Sequence, residues 1–131
     1  MSVDNLIITS KNKSFFIDYE YFGYDNPIKL ICDFMLHPKN RIEFAEFDYY
    51  AKRFLLIKSL KNKVNFRDIT IFLPIFQIKW ILIVLKIFNK SHSKKLKDLG
   101  IHNNQNYFIT QRLNMANKMI MQLKEINNKY G

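Results

Sequence analysis

Residues 4–38, DNLIITSKNKSFFIDYEYFGYDNPIKLICDFMLHP, decide how this chain is expected to fold. They contain two short apolar runs, residues 6–9 (LIIT) and residues 14–17 (SFFI), which the polar residues 10–13 (SKNK) separate. Two such runs on either side of a short polar segment are typical of an antiparallel hairpin. The sequence therefore predicts a two-stranded β-hairpin at this point of the chain.

The ends of the predicted hairpin carry an amide and a carboxylate. Folding the segment about the middle of residues 10–13 places Asn5 directly opposite Asp18. Directly opposed residues of an antiparallel pair have Cβ atoms about 4.5–5.5 Å apart, and Mg²⁺ prefers oxygen ligands of these two kinds. The alternative is that both residues only end their strands, since Asn and Asp are common at strand boundaries.

The same stretch resembles the metal-binding half of the aminoglycoside phosphotransferase and choline kinase family, which has a protein-kinase-like fold. The resemblance rests on the strand, turn and strand, and on residues 17–21 (IDYEY), Gly23 and residues 25–27 (DNP), which are similar to the family's "IDFEY…G…DP" signature. It implies that Asn5 is the asparagine that ends the catalytic loop and that Asp18 is the metal-binding aspartate. The later helices match the family only in pattern.

The resemblance also implies a set of ligands: ATP, Mg²⁺ and a small hydroxyl-bearing acceptor. Asn5 and Asp18 would bind Mg²⁺, while Ile7 and Ile17 would form the apolar surface beneath adenine. The residues implied at the substrate rim are Glu20, Tyr21 and Asp25. Phosphoryl transfer in such enzymes depends on positioning and charge neutralisation rather than on covalent catalysis by the protein.

One departure from the family concerns its catalytic aspartate, which would fall one position before Met1. The amino-terminal lobe, with its phosphate-covering loop and strand lysine, also has no counterpart in the sequence. We therefore expect residues 1–131 to be a single partial domain, the carboxy-terminal lobe of a longer kinase. Residues 1–25 would form the metal-site hairpin and loop and residues 26–131 the helical lobe, with no appreciable turnover by this lobe alone.

The residues after the hairpin predict amphipathic helices. Asn26 or Asp25 is expected to cap the first helix, with Pro27 in its first turn. Apolar residues at three- and four-residue intervals predict a second helix over residues 41–60 and a long last helix over residues 106–129. A short β-hairpin followed by a helical bundle is a mostly helical α+β fold, resembling the carboxy-terminal lobe of a kinase-like phosphotransferase.

Between these helices, residues 71–88 are apolar enough to raise the question of a membrane span, for which about 20 apolar residues are needed. Lys79 and Lys86 argue against it, because each lysine near a bilayer centre costs at least about 2.5–3.5 kcal/mol. We expect instead a helix buried on most sides and broken or bent at Pro74, with Asn65 as the cap of the helical segment that begins at Phe66. Its predicted core contacts are Trp80, Ile81, Val84, Leu85 and Phe88.

The charge of the chain is unevenly distributed. The net charge is +10, but residues 1–50 carry eight acidic and five basic residues, whereas residues 51–131 carry three acidic and sixteen basic ones. Such asymmetry can signal binding to nucleic acid or an anionic membrane, although lysines on solvated helix faces look the same. The alternative function is a non-catalytic basic helical module that binds nucleic acid or an acidic partner. It predicts salt-sensitive binding and indifference to Asp18→Ala.

The remaining features favour a cytoplasmic chain without other recognisable chemistry. Cys32 is the only cysteine, so no intramolecular disulfide can form, which fits a reducing compartment. Cys32 lies in an apolar pattern and is expected to be a small core residue. We expect no signal peptide, and neither nucleic acid nor a membrane is the expected partner. His92 and His102 lack partners at the spacing of zinc ligands.

Overall fold

The computed structural model of this chain describes residues 6–16, 26–58, 60, 63–89 and 105–131. Within these residues the fold is mostly helical, with one two-stranded antiparallel hairpin followed by four α-helices. The hairpin consists of β1 (Leu6–Ile8) and β2 (Ser14–Phe16). The predicted hairpin and the predicted mostly helical α+β class are confirmed.

The first helix, α1 (Pro27–Leu36), begins where it was predicted. The side-chain oxygen of Asn26 accepts a hydrogen bond from the backbone N–H of Ile28 at 2.8 Å. Pro27 occupies the first turn, where a missing N–H removes no helical hydrogen bond. The residues that this helix buries are Ile31, Cys32, Met35 and Leu36. Cys32 is therefore a core residue, as predicted.

The second helix is shorter than predicted. Arg41 adopts a left-handed conformation with φ of 55°, which a continuing right-handed helix excludes. A single 3-10 turn, Phe44–Glu46, then precedes α2 (Phe47–Leu55). The prediction of one helix over residues 41–60 was therefore wrong at both ends, although the buried face of α2 follows the predicted apolar spacing.

The third helix, α3 (Phe66–Leu85), is capped as predicted. The side-chain oxygen of Asn65 accepts a hydrogen bond from the N–H of Asp68 at 2.9 Å. In return, the Asp68 carboxylate accepts one from the N–H of Asn65 at 3.2 Å, which is the reciprocal arrangement of a capping box. Pro74 lies inside this helix and leaves the carbonyl of Thr70 without its usual helical N–H donor.

The prediction that α3 is buried on most sides was wrong. Its buried residues follow one face and are Ile69, Thr70, Leu73, Gln77, Ile81 and Val84. Six large apolar residues are 42–64% exposed, namely Ile71, Phe72, Ile75, Ile78, Leu82 and Ile83. Of the predicted core contacts, Trp80 and Leu85 are partly buried against the core and Phe88 is exposed. A helix with apolar residues on every face has the same sequence pattern whether one face or all of them are buried. The pattern therefore could not show which faces of α3 are exposed.

Among the described residues, one helical segment has the length and hydropathy of a membrane-crossing helix. It is Phe66–Phe88, with a mean hydropathy of 2.1 over a window of which 22% is buried within the chain. A core helix of a soluble protein meets the same two criteria. Length and hydropathy therefore do not place this chain in a membrane.

The chain divides into two compact units, Met1–Phe76 and Gln77–Gly131. In the first unit, the buried Cys32 thiol lies 3.9 Å from the carbonyl oxygen of Ile69, where α1 meets the first turns of α3. In the second unit, α3 packs against α4 (Gln105–Tyr130), the predicted long last helix. The core there consists of Ile81, Val84, Ala116 and Met119, with Trp80, Leu85, Met115 and Leu123 packed around it.

Candidate functional site

The hairpin is closed by a loop of three residues, 10–12, rather than by the four residues expected. The N–H of Thr9 donates to the carbonyl of Lys13 at 2.9 Å, and the N–H of Asn12 donates to the carbonyl of Thr9 at 2.9 Å. Asn12 has a φ of 55°, a left-handed conformation that asparagine tolerates better than most residues. A turn followed by one left-handed residue is a common three-residue hairpin connection.

Because of this loop, the observed register of the two strands differs from the predicted one by one residue. The observed pairs are Leu6 with Phe16, Ile7 with Phe15 and Ile8 with Ser14. Each residue of β1 therefore pairs one position earlier in β2 than a fold about the middle of residues 10–13 requires. The predicted register was wrong because Asn12 takes up one residue of the loop in its left-handed conformation. A shift of one residue exchanges the faces on which the side chains of one strand lie.

The predicted magnesium ligands, Asn5 and Asp18, lie outside the described residues, so their pairing stays a prediction. The observed register adds a condition to it. A direct pair between Asn5 and Asp18 requires one extra residue in the second strand after Phe16. A β-bulge supplies such a residue and also turns the side chains that follow it. If the observed register continues beyond Leu6 and Phe16, a direct pair of Asn5 with Asp18 therefore needs a bulge in the second strand.

Ile7 is the predicted site residue that the structure describes. It is 47% exposed and lies directly opposite Phe15, which is 51% exposed. Opposed side chains of an antiparallel pair point to the same face, so Ile7 and Phe15 form one accessible apolar patch. Ile17, the other predicted contact of adenine, lies outside the described residues. The predicted register missed Phe15 by placing it opposite Ile8, and a left-handed asparagine at the third loop position is the signal that corrects it.

The predicted substrate rim also lies outside the described residues. Glu20, Tyr21 and Asp25 all belong to the nine residues between β2 and the cap residue Asn26, and Phe16 and Asn26 on either side of that connection are described. Asn26 already belongs to the helix cap. The assignment of these three residues to an acceptor site stays a prediction.

Within the ranges that the structure describes, no group of three or more His, Cys, Asp or Glu side chains could hold a metal ion. The predicted site has one carboxylate and one amide. This set fits Mg²⁺, which usually takes one or two protein carboxylates and completes its coordination with waters and phosphate oxygens. A site of this kind does not need three clustered protein ligands.

Comparisons of the chain with protein-family models, with curated proteins and with solved structures give no match. Any function of this chain must therefore be inferred from its own residues. The relevant features are the motif over residues 5–27 and the order of the hairpin and α1.

Substitutions at Asn12 test the observed loop and register. Asn12→Val should destabilise the hairpin by about 1–2 kcal/mol, because a β-branched residue resists the left-handed conformation. Asn12→Gly should leave the hairpin unchanged or slightly more stable. The exchange rate of the Thr9 amide proton and the nuclear Overhauser contacts between Ile7 and Phe15 report the difference. Equal behaviour of the two variants would contradict the left-handed loop.

Proposed function

We propose that this chain is the carboxy-terminal lobe of an ATP-dependent small-molecule kinase in the cytoplasm, similar to aminoglycoside phosphotransferases. One observation carries the proposal. A β-hairpin is followed, nine residues later, by a helix that begins with a capping Asn26 and Pro27. This is the order of elements that the motif implies, and it leaves residues 17–25 as the connection in which Asp18 would bind metal.

Different residues of the hairpin and of the segment after it would bind the metal, the nucleotide base and the acceptor. Asp18 and Asn5 would hold Mg²⁺, which when bound neutralises charge on the transferring phosphates. Ile7 and Phe15 offer an accessible apolar patch of the kind on which a planar base can lie. The acceptor would meet Glu20, Tyr21 and Asp25.

Residues 1–131 by themselves are proposed to bind Mg²⁺-nucleotide weakly and to catalyse no turnover. Phosphoryl transfer needs a residue that orients the attacking hydroxyl and a lysine that holds the phosphates. The motif places the first of these one position before Met1, and the second belongs to an amino-terminal lobe. Phosphorylation of any small alcohol or aminoglycoside by this chain alone would contradict the proposal.

The test compares Mg²⁺-dependent nucleotide binding by the wild-type chain, by Asp18→Ala and by Asp48→Ala, using calorimetric titration with ADP and with ATP. Asp48→Ala is the matched control, since it makes the same change of charge in α2. We expect Asp18→Ala to weaken binding by at least about tenfold, equivalent to about 1.4 kcal/mol, and Asp48→Ala to leave it unchanged. Equal effects of the two variants would contradict the proposal. Salt-sensitive binding of polyanions that Asp18→Ala does not alter would favour the basic helical module instead.

A further inference from the structure

Helix α4 carries two apolar stripes that overlap. The stripe that packs against α3 in the second unit consists of Met115, Ala116, Met119 and Leu123, and we call it the Met119 stripe. A second stripe follows steps of three, four and three residues, the spacing of an apolar helix face. It consists of Leu113, Ala116, Ile120 and Leu123, and we call it the Leu113 stripe. At about 100° per residue, the centres of the two stripes lie about 60° apart around the helix axis.

The structure buries the Met119 stripe and leaves part of the Leu113 stripe accessible. Met119 is 5% exposed, whereas Leu113 is 42% and Ile120 is 39% exposed. Since the two stripes share Ala116 and Leu123, they differ only in one pair of large apolar side chains each. Two methionines remove about as much apolar surface from water as a leucine and an isoleucine. Apolar contact by itself therefore does not decide which stripe faces α3.

A buried amide on α3 distinguishes the two arrangements. Among the side chains that the structure describes in the second unit, Gln77 is the one polar side chain that is buried. Its Nε2 donates a hydrogen bond to the carbonyl of Met119 at 2.9 Å and a longer one, 3.5 Å, to Oε1 of Gln122. A buried amide donor without a partner is costly. Gln77 therefore favours the arrangement of α4 that keeps both acceptors within reach.

Both acceptors of Gln77 depend on the rotation of α4 about its own axis. Gln122 is seven residues after Met115 and therefore lies on the same side of the helix. That side borders the Met119 stripe at the edge farther from Leu113. A rotation by about 60°, which would bring the Leu113 stripe against α3, would move Gln122 and the Met119 carbonyl away from Gln77. The observed hydrogen bonds thus belong to one rotation of α4.

We propose that the hydrogen bonds of Gln77 fix the rotation of α4, and that without them α4 occupies two rotations, one for each apolar stripe. Gln77 is then a positioning residue, which acts through Met119 and Gln122. A buried polar side chain can select one arrangement of a helix pair where the apolar contacts fit more than one. The residues involved belong to α3 and α4 and not to the hairpin, so this proposal and the nucleotide proposal can fail independently.

The experiment measures the exposure of methionine methyl groups in the full chain by nuclear magnetic resonance, with a soluble gadolinium chelate that relaxes exposed methyl signals. In the wild-type chain the signal of Met121, 61% exposed, should relax much faster than that of Met119. We expect Gln77→Leu to raise the relaxation enhancement of Met119 at least about twofold, because a protected rotation is then mixed with an exposed one. Gln111→Leu, the same substitution at an exposed glutamine of α4, should leave it unchanged.

A second substitution separates a rotation of α4 from a general loosening of the core. Ile120→Lys places a charge in the Leu113 stripe, so it disfavours the rotation that buries this stripe. The double variant Gln77→Leu with Ile120→Lys should therefore return the relaxation enhancement of Met119 to its wild-type value. The proposal is overturned if Gln77→Leu leaves Met119 protected or does not fold, or if Ile120→Lys fails to restore the protection. It is also overturned if Met35, 2% exposed in the first unit, becomes as exposed as Met119 in Gln77→Leu.

Discussion

Replacing Phe47 by alanine is expected to lower the free energy of unfolding by about 3–5 kcal/mol. Phe47 is 1% exposed and is the first residue of α2. Its ring meets the ring of Phe44 edge-on, with 5.4 Å between the two centroids, and such pairs add stability beyond their buried area. Since small domains are stable by only about 5–15 kcal/mol, this single change should remove a large part of the stability of the first unit.

Urea unfolding followed by circular dichroism measures this loss, and Tyr49→Ala is its control. Tyr49 lies on the same helix but is 62% exposed, so we expect its removal to cost less than about 1 kcal/mol. Both substitutions delete an aromatic ring from α2. Equal losses of stability in the two variants would contradict the division of α2 into a buried and an exposed face.

The second large effect is expected for Gln77→Glu. Gln77 is fully buried in the second unit, and its Nε2 donates a hydrogen bond to the backbone carbonyl of Met119 at 2.9 Å. The Oε1 of Gln77 has no hydrogen-bond partner among the described residues. A glutamate would replace the donor with a carboxylate oxygen facing that carbonyl. We expect a loss of about 3–5 kcal/mol at neutral pH, the range found when a buried charge is left without a partner.

The pH dependence of this variant has a definite sign. Burial should raise the pKa of the introduced glutamate in the folded state above its unfolded value of about 4.3. The destabilisation relative to wild type is therefore complete above the raised folded-state pKa. It shrinks as the pH falls toward the unfolded value, because the protonated acid is neutral and can donate a hydrogen bond.

The control for the glutamate variant is Gln77→Met, which keeps a side chain of similar size. It loses the hydrogen bond to Met119 and a longer one, 3.5 Å, to Oε1 of Gln122, but it also removes the unpartnered Oε1 of Gln77, so we expect a change of less than about 1.5 kcal/mol. Thermal unfolding of both variants over a series of pH values separates the effects. If the two variants were equally stable at neutral pH, the buried hydrogen bond between α3 and α4 would not exist as described.

The features of the fold that could be predicted are those set by neighbouring residues. Asn26 and Pro27 determine the start of α1, and Asn65 with Asp68 determines the start of α3. In each case the side chain satisfies a backbone group only a few residues away. The periodic apolar residues of α4 likewise gave its extent. Local chemistry is sufficient for such elements.

The features that could not be predicted depend on one backbone angle or on tertiary packing. The register of the hairpin depends on the left-handed Asn12, and the length of the predicted second helix depends on the left-handed Arg41. The apolar side chains of α3 did not reveal which of its faces is covered, because apolar residues lie on every face of that helix. Sequence patterns report the period of a helix more reliably than the packing around it.

For the candidate site, the sequence supplied the residues and the structure supplied the register. Ile7 was predicted as a contact of adenine, and its observed pairing with Phe15 adds that residue to the same apolar patch. The predicted pairing of Asn5 with Asp18 lies outside the described residues, and with the observed register it would need an extra residue in the second strand after Phe16. A bulge of that kind depends on the ladder and on the segment that follows it, so spacing along the sequence could not specify it.

The proposed magnesium site on the hairpin is tested most directly by paramagnetic line broadening. Mn²⁺ accepts the same oxygen ligands as Mg²⁺, and it broadens the amide signals of nearby residues in a nitrogen–proton correlation spectrum. With ADP present, we predict that small additions of Mn²⁺ broaden the amide signals of Ile7 and Phe15. We also predict that Asp18→Ala removes the effect. Unchanged signals at Ile7 and Phe15, or equal broadening in the wild-type chain and Asp18→Ala, would contradict the proposed site.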